Sequence, residues 1–118
     1  MKILKSKIIK IKKGKNFKII TPVNLYGCKF GNNCFVGPFT EIQKNVKIGH
    51  NTKIQSHSFI CELVEIGNNC FIGHGVMFIN DKFKFGKPAS GNKKIWLKTK
   101  INSNVFIGSN STILPVSI

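Results

Sequence analysis

A chain of 118 residues has room for one domain, and this one carries 19 Lys, no Arg and four acidic residues, for a formal charge of +15. No stretch approaches the roughly 18 apolar residues of a membrane span, and the basic N-terminus has neither a long apolar run nor a small-residue cleavage site, so a cytoplasmic protein with no membrane partner is expected. Specific readout of bases and phosphates leans on the guanidinium that this chain lacks, so the lysines read as solvated surface, able to draw in an anionic ligand, and no nucleic-acid partner is expected.

Residues 1–20 alternate Lys with Ile around Gly14, which predicts a strand, a turn and a strand capping whatever follows. A six-residue rhythm then starts, after a break of register near Asn24. Stepping by six from Phe30 gives Val36, Ile42, Ile48, Ile54, Ile60, Ile66, Ile72 and Phe78, all large and apolar. Two residues before each stands a small or β-branched one: Cys28, Cys34, Thr40, Val46, Thr52, Ser58, Val64, Cys70 and Val76. Residues two apart in a strand face the same side, so both rows point inward. Each unit is then a short strand plus a corner, three units close a triangular coil of 18 residues, and coils stack about 4.8 Å apart. The predicted ladders are Phe30, Ile48 and Ile66; Val36, Ile54 and Ile72; and Ile42, Ile60 and Phe78. The small residues fill the rest of a narrow interior, and glycine after the large residue (Gly31, Gly37, Gly49, Gly67, Gly73) is expected to ease the turn.

The rhythm stops at Ile79 and resumes with Ile101, Ile107 and Ile113, which predicts a loop over residues 79–98 extruded from a continuous prism. Residues 1–20 thus form an N-terminal strand and cap segment, and residues 21–118 an all-β, parallel β-helix domain of about 4–5 coils that stops in mid-coil and so reads as C-terminally truncated. Cys28, Cys34 and Cys70 occupy small inward positions, where cysteine serves as a small hydrophobe; Cys61 falls on an outward corner. None of the four forms a metal-binding spacing, so no metal is expected.

The stretches VNLYGCKFGNNCFVGPFTEIQ, IQSHSFICE, IGNNCFIGHGVMFIND and FIGSNSTILPVSI resemble the hexapeptide-repeat acyltransferases, over roughly residues 22–118. Within that superfamily they are most similar to N-acetyltransferases acting on the 3-amino group of nucleotide-linked sugars, precursors of surface polysaccharides. The resemblance implies the left hand of the helix, against the usual right-handed rule for parallel crossovers. It implies a homotrimer with acetyl-CoA in a cleft between adjacent prisms, and a loop that reaches toward the neighbouring subunit.

Acetyl transfer to an amine needs a neutral nitrogen aimed at the thioester, a donor for the developing oxyanion and an acceptor for the departing proton. His57 and His74 lie at corners one coil apart and are the catalytic candidates; His50 reads as ordinary surface. Glu62, at an outward corner, and Asn80 and Asp81, at the start of the loop, are candidates for the sugar or its amine, although Asn and Asp also open turns. Gln43 and Gln55 stand where glycine usually does and could hydrogen-bond a substrate. Trp96, the sole Trp, is a candidate for stacking on the cofactor, as are Gly108 and Ser109 for contacting it, with packing onto the prism the alternative for the indole. Competing functions are a non-catalytic remnant or partner subunit of such an enzyme, sugar O-acetylation, which would make a His base mandatory, and a β-helical carbonic anhydrase, whose histidine spacing is missing.

Overall fold

The computed structural model describes residues 1–118. Fifteen strands of two or three residues, with no α-helix, wind into a left-handed parallel prism. Its three faces are sheet A, made of β1 (Ile8–Ile9), β3 (Asn24–Tyr26), β6 (Glu41–Ile42), β9 (Phe59–Ile60), β12 (Met77–Phe78) and β15 (Thr112–Ile113); sheet B, made of β4 (Lys29–Phe30), β7 (Lys47–Ile48), β10 (Val64–Ile66) and β13 (Thr99–Ile101); and sheet C, made of β2 (Lys18–Ile19), β5 (Phe35–Val36), β8 (Lys53–Ile54), β11 (Phe71–Ile72) and β14 (Phe106–Ile107). The three predicted ladders are the interior of these sheets: Phe30 pairs with Ile48 and Ile48 with Ile66, Val36 with Ile54 and Ile54 with Ile72, and Ile42 with Ile60. They run on into Ile101, Ile107 and Ile113 past the loop.

Residues 8–19 are not a hairpin-like cap. β1 joins sheet A, Lys12 bridges to Lys29 on sheet B, and β2 joins sheet C, so this segment is itself the first coil. With no coil beneath it, the position equivalent to Cys34 holds a large residue, Phe17, whose ring lies 4.6 Å from that of Phe30. The register break near Asn24 has a simple geometric origin. Coil-to-coil offsets are 17 residues at Ile8↔Leu25 and Leu25↔Ile42 but 18 at Phe30↔Ile48. The corners between sheets A and B at Lys10 and Gly27 are each one residue shorter than the later corner at Asn45, and all three turn through positive φ.

Glycine plays a different part from the expected one. Gly31, Gly49 and Gly67 have ordinary φ, but a Cβ on Gly49 would sit 2.6 Å from the carbonyl carbon of Gly67 in the next coil, and one on Gly67 would sit 2.7 Å from the backbone nitrogen of Ser103. They are kept by close approach of stacked backbones. The left-handed turn comes two residues later, at Asn33, Asn45, Asn51, Asn69, Asn104 and Asn110, as well as at Phe39, His57, Leu63 and Gly75. Asn tolerates this region best among residues with a Cβ, and its amide also stacks: Asn16 Nδ2 donates to Asn33 Oδ1 (2.9 Å) and Asn33 Nδ2 to Asn51 Oδ1 (3.1 Å).

The small inward residues do more than fill space. The side chains of Cys34, Thr40, Thr52, Ser58 and Cys70 donate to the corner carbonyls of Gly49 (3.0 Å), Gln55 (3.3 Å), Gly67 (2.8 Å), Gly73 (3.1 Å) and Asn102 (3.1 Å), each in the next coil. Buried backbone acceptors at the corners are thereby satisfied from inside the prism.

Candidate functional site

The site candidates divide between two corners at opposite edges of sheet A. His57, His74, Gln55, Gly108 and Ser109 lie at the corner joining sheet C to sheet A. Gln43, Glu62, Asn80, Asp81 and Trp96 lie at the corner joining sheet A to sheet B, where the long loop leaves the prism.

At the first corner His57 is exposed, at φ 65°, and its ring lies 4.9 Å from that of Phe39, itself at φ 62°. Both residues take the left-handed turn that the Asn residues take at the other corners, a region that His tolerates better than Phe. His74 is exposed one coil on, and its backbone N–H donates to Ser109 Oγ (3.1 Å). Ser109 thus stitches coils together, while Gly108 and Ser109 both stay accessible. The backbone carbonyl of Gln55 accepts from Thr40 and Ser58, and its side chain, with Asn16, Lys18, Asn33, Phe35 and Lys53, borders a groove of about 620 Å³ across sheet C. His50 stands apart from both corners: its Nδ1 accepts from Asn32 N–H (2.7 Å), one rung of a column that runs along the corner between sheets B and C and ties each coil to the next.

At the second corner the residues read as outward turn inward. Cys61 and Glu62 are 3% and 9% exposed, because the loop folds back over them. Lys93 delivers its ammonium to both carboxylate oxygens of Glu62 (3.1 and 3.2 Å) and lies 5.4 Å from the centre of the Trp96 ring. Hydrogen bonding to Glu62 holds the Lys93 ammonium above the ordinary lysine range. Asn80, 7% exposed, donates from Nδ2 to the Glu62 carbonyl (3.1 Å), and its own carbonyl accepts from Leu97 N–H (2.8 Å), which closes the neck of the loop. Asp81 accepts from the backbone N–H groups of Phe83 (3.0 Å) and Ala89 (2.7 Å), so its carboxylate shapes the loop. A single 3₁₀ turn, Lys93–Ile95, carries the chain toward Trp96, whose indole Nε1 is buried without a partner. Gln43, Phe59, Cys61, Asn80 and Trp96 border a cleft of about 290 Å³.

Two residues in this corner escape a reading of the repeat. Glu41 Oε2 accepts from the Tyr26 hydroxyl (3.1 Å) and from Gln43 Nε2 (3.2 Å), and Gln43 Oε1 accepts from Glu62 N–H (3.1 Å). Partial burial, and then the Glu41 carboxylate, push the Tyr26 phenol above its usual range, so it stays a donor. Three of the four acids of this strongly basic chain, Glu41, Glu62 and Asp81, therefore gather where the loop emerges. That imbalance is the signal in the sequence that points to them.

The comparisons with known proteins agree with this architecture. The family described as bacterial transferase hexapeptide (six repeats) matches residues 27–62, and that described as hexapeptide repeat of succinyl-transferase matches residues 98–118. The chain belongs to the hexapeptide-repeat acyltransferase superfamily. Its relatives include proteins named bifunctional protein GlmU: that of Clostridium botulinum (strain ATCC 19397 / Type A) is 35% identical over 91 residues, covering 76% of this chain and 17% of that protein. The one from Thermodesulfovibrio yellowstonii is 42% identical over 89 residues, covering 75% and 17%. The one from Limosilactobacillus fermentum is 37% identical over 91 residues, covering 76% and 17%. The hexapeptide-repeat chain thus spans about a sixth of the length of the curated relatives it matches.

Proposed function

We propose that this hexapeptide-repeat chain transfers an acetyl group from acetyl-CoA to the amine of a nucleotide-linked amino sugar. The observation that carries the reading is the pairing of an exposed imidazole, set beside Phe39 at one edge of sheet A, with a loop-covered, largely apolar cleft at the other edge into which Gln43 and Asn80 bring amide groups. A single prism holds these two edges apart, so one ligand reaches both only where copies stand side by side. A homotrimer supplies that arrangement, and the outward faces suit it: Phe59 and Met77 on sheet A and Phe35, Phe71 and Phe106 on sheet C offer apolar side chains, while sheet B offers Lys29, Lys47, Glu65 and Lys100 to water. Two structural tasks of the polar groups at this corner matter for the chemistry. Gln43 is locked by Glu41 and Glu62, so its orientation is set before substrate arrives. Asn80 keeps its Oδ1 free at the cleft while Nδ2 is anchored, which suits it to accept from an amine or a hydroxyl.

In this scheme the amine first loses its ammonium proton to solvent, the neutral nitrogen then attacks the thioester carbonyl while His57 or His74 takes the proton it sheds, and the tetrahedral intermediate collapses to the amide as the thiolate of coenzyme A leaves. No covalent intermediate on the protein is involved. The test is release of free thiol from acetyl-CoA in the presence of nucleotide-linked 3-amino sugars, with mass spectrometry of the acetylated product. Replacing His57 by Gln is expected to lower the rate by about 10²–10⁴. Absence of turnover by folded, trimeric protein across amino sugars would overturn the reading, and acetylation of a hydroxyl in place of an amine would move it to sugar O-acetylation.

A further inference from the structure

We propose that the N-terminal end of the prism is a docking surface for an anionic lipid bilayer. Lys2, Lys5, Lys7, Lys10 and four more lysines up to Lys18 are all exposed, and no acidic residue precedes Glu41. Large apolar side chains stand among them. Ile3 and Leu4 are 69% and 81% exposed, and Ile8, Ile9 and Ile20 are exposed as well. β1 and β2 are the end strands of sheets A and C, so nothing in the chain covers this face.

The mixture selects its partner. A cluster of four to eight lysines is the electrostatic footprint of an anionic leaflet, and interleaved aliphatic side chains enter the headgroup boundary once the lysines have brought the face to it. A nucleic acid would meet the charge but leave the isoleucines unmatched. It would also look for aromatic platforms and guanidinium forks. The only aromatic residue before Tyr26 is Phe17, and it is stacked on Phe30. The lack of a spanning segment, which gave the expectation of no membrane partner, bears on insertion and leaves surface attachment open: no helix is long and apolar enough to cross a membrane, but lying on one needs none. Residues 1–6 belong to no strand, and the backbone of Lys7, bonded to Asn24 and Leu25, marks where the coils begin, so the segment before it can adapt to a surface while the coils above stay intact.

The experiment is co-sedimentation of the full chain with vesicles of equal parts phosphatidylglycerol and phosphatidylcholine, beside vesicles of phosphatidylcholine alone and short duplex DNA. Binding to the anionic vesicles, weakening as salt is raised, and little binding to phosphatidylcholine are expected. Replacing Lys2, Lys5 and Lys7 by Gln lowers the affinity by roughly fivefold per lysine. A second variant, with Ile3→Ser and Leu4→Ser, weakens binding at every salt concentration and leaves its salt dependence in place. All five positions precede the first strand, and unchanged melting temperatures verify that the fold is intact. Failure to bind the anionic vesicles at low salt would overturn the proposal. So would tighter binding to the duplex than to the vesicles, or affinity indifferent to both variants.

Discussion

Replacing Thr52 by Val tests whether the small inward residues are filler or fastening. Thr52 is fully buried; its hydroxyl donates to the Gly67 carbonyl (2.8 Å) and accepts from Cys70 N–H (3.2 Å). Val has nearly the same volume, so a filler would be replaced almost without loss. If the hydroxyl fastens successive coils, the substitution strands one buried acceptor and one buried donor. At about 1–3 kcal/mol for each of the two orphaned groups, less about 1 kcal/mol gained by burying a methyl, the net cost is about 1–5 kcal/mol. For a domain of this size that corresponds to a fall in melting temperature of roughly 4–20 °C. Thr52→Ser keeps both hydrogen bonds, loses one methyl and costs about 1 kcal/mol. Thermal melts and urea titrations of the two variants give the order directly. A Val variant as stable as the parent, or more stable than the Ser variant, would refute the reasoning.

Gly67→Ala is expected to destabilise by about 1–3 kcal/mol in a urea titration although its φ is ordinary, since the new methyl meets the Ser103 and Asn102 backbone; a neutral result would mean the coils part at little cost. Glu62→Gln removes the ionic partner of Lys93, and tryptic cleavage within residues 82–94 should rise by up to about fivefold while the melting temperature of the prism stays put. Burial pushes the Cys28 and Cys61 thiols up to about 11, above the free-thiol value of 9.0. The unfolded chain therefore ionises first, so stability holds below pH 9 and declines from there through pH 11, and in the native state both thiols react slowly with a thiol reagent at pH 8; fast labelling there would contradict their burial.

The interior was the legible part of this protein. A narrow three-sided core accepts one large and one small side chain per unit, so Val36, Ile54 and Ile72 repeat at a spacing that nothing else produces. The two shortened corners were visible only as a lost beat at Asn24, because deleting a residue at a turn leaves every inward residue apolar. The fastening side chains do leave a signal: the small row before sheets A and C holds Cys34, Thr40, Thr52, Ser58, Cys70 and Ser111 beside Val76 and Val105, with no Ala, although Ala would fill the space of Ser or Cys equally well. Glu62 and Cys61 were placed outside because the repeat describes a bare prism, and it is Lys93 and Trp96, from a loop without periodicity, that bury them. Glu41 and Tyr26 were invisible for the opposite reason. Outward strand positions carry no packing constraint, so only the scarcity of acids in the whole chain marks them.

The neck between Asn80 and Leu97 has an evolutionary consequence. One backbone hydrogen bond closes it, and β13 meets β10 beyond it as though no residues intervened. The segment in between can lengthen, shorten or be exchanged for another without shifting a single rung of the prism. Ligand preference can therefore drift in that cassette under its own selection, while the scaffold that holds it is inherited unchanged.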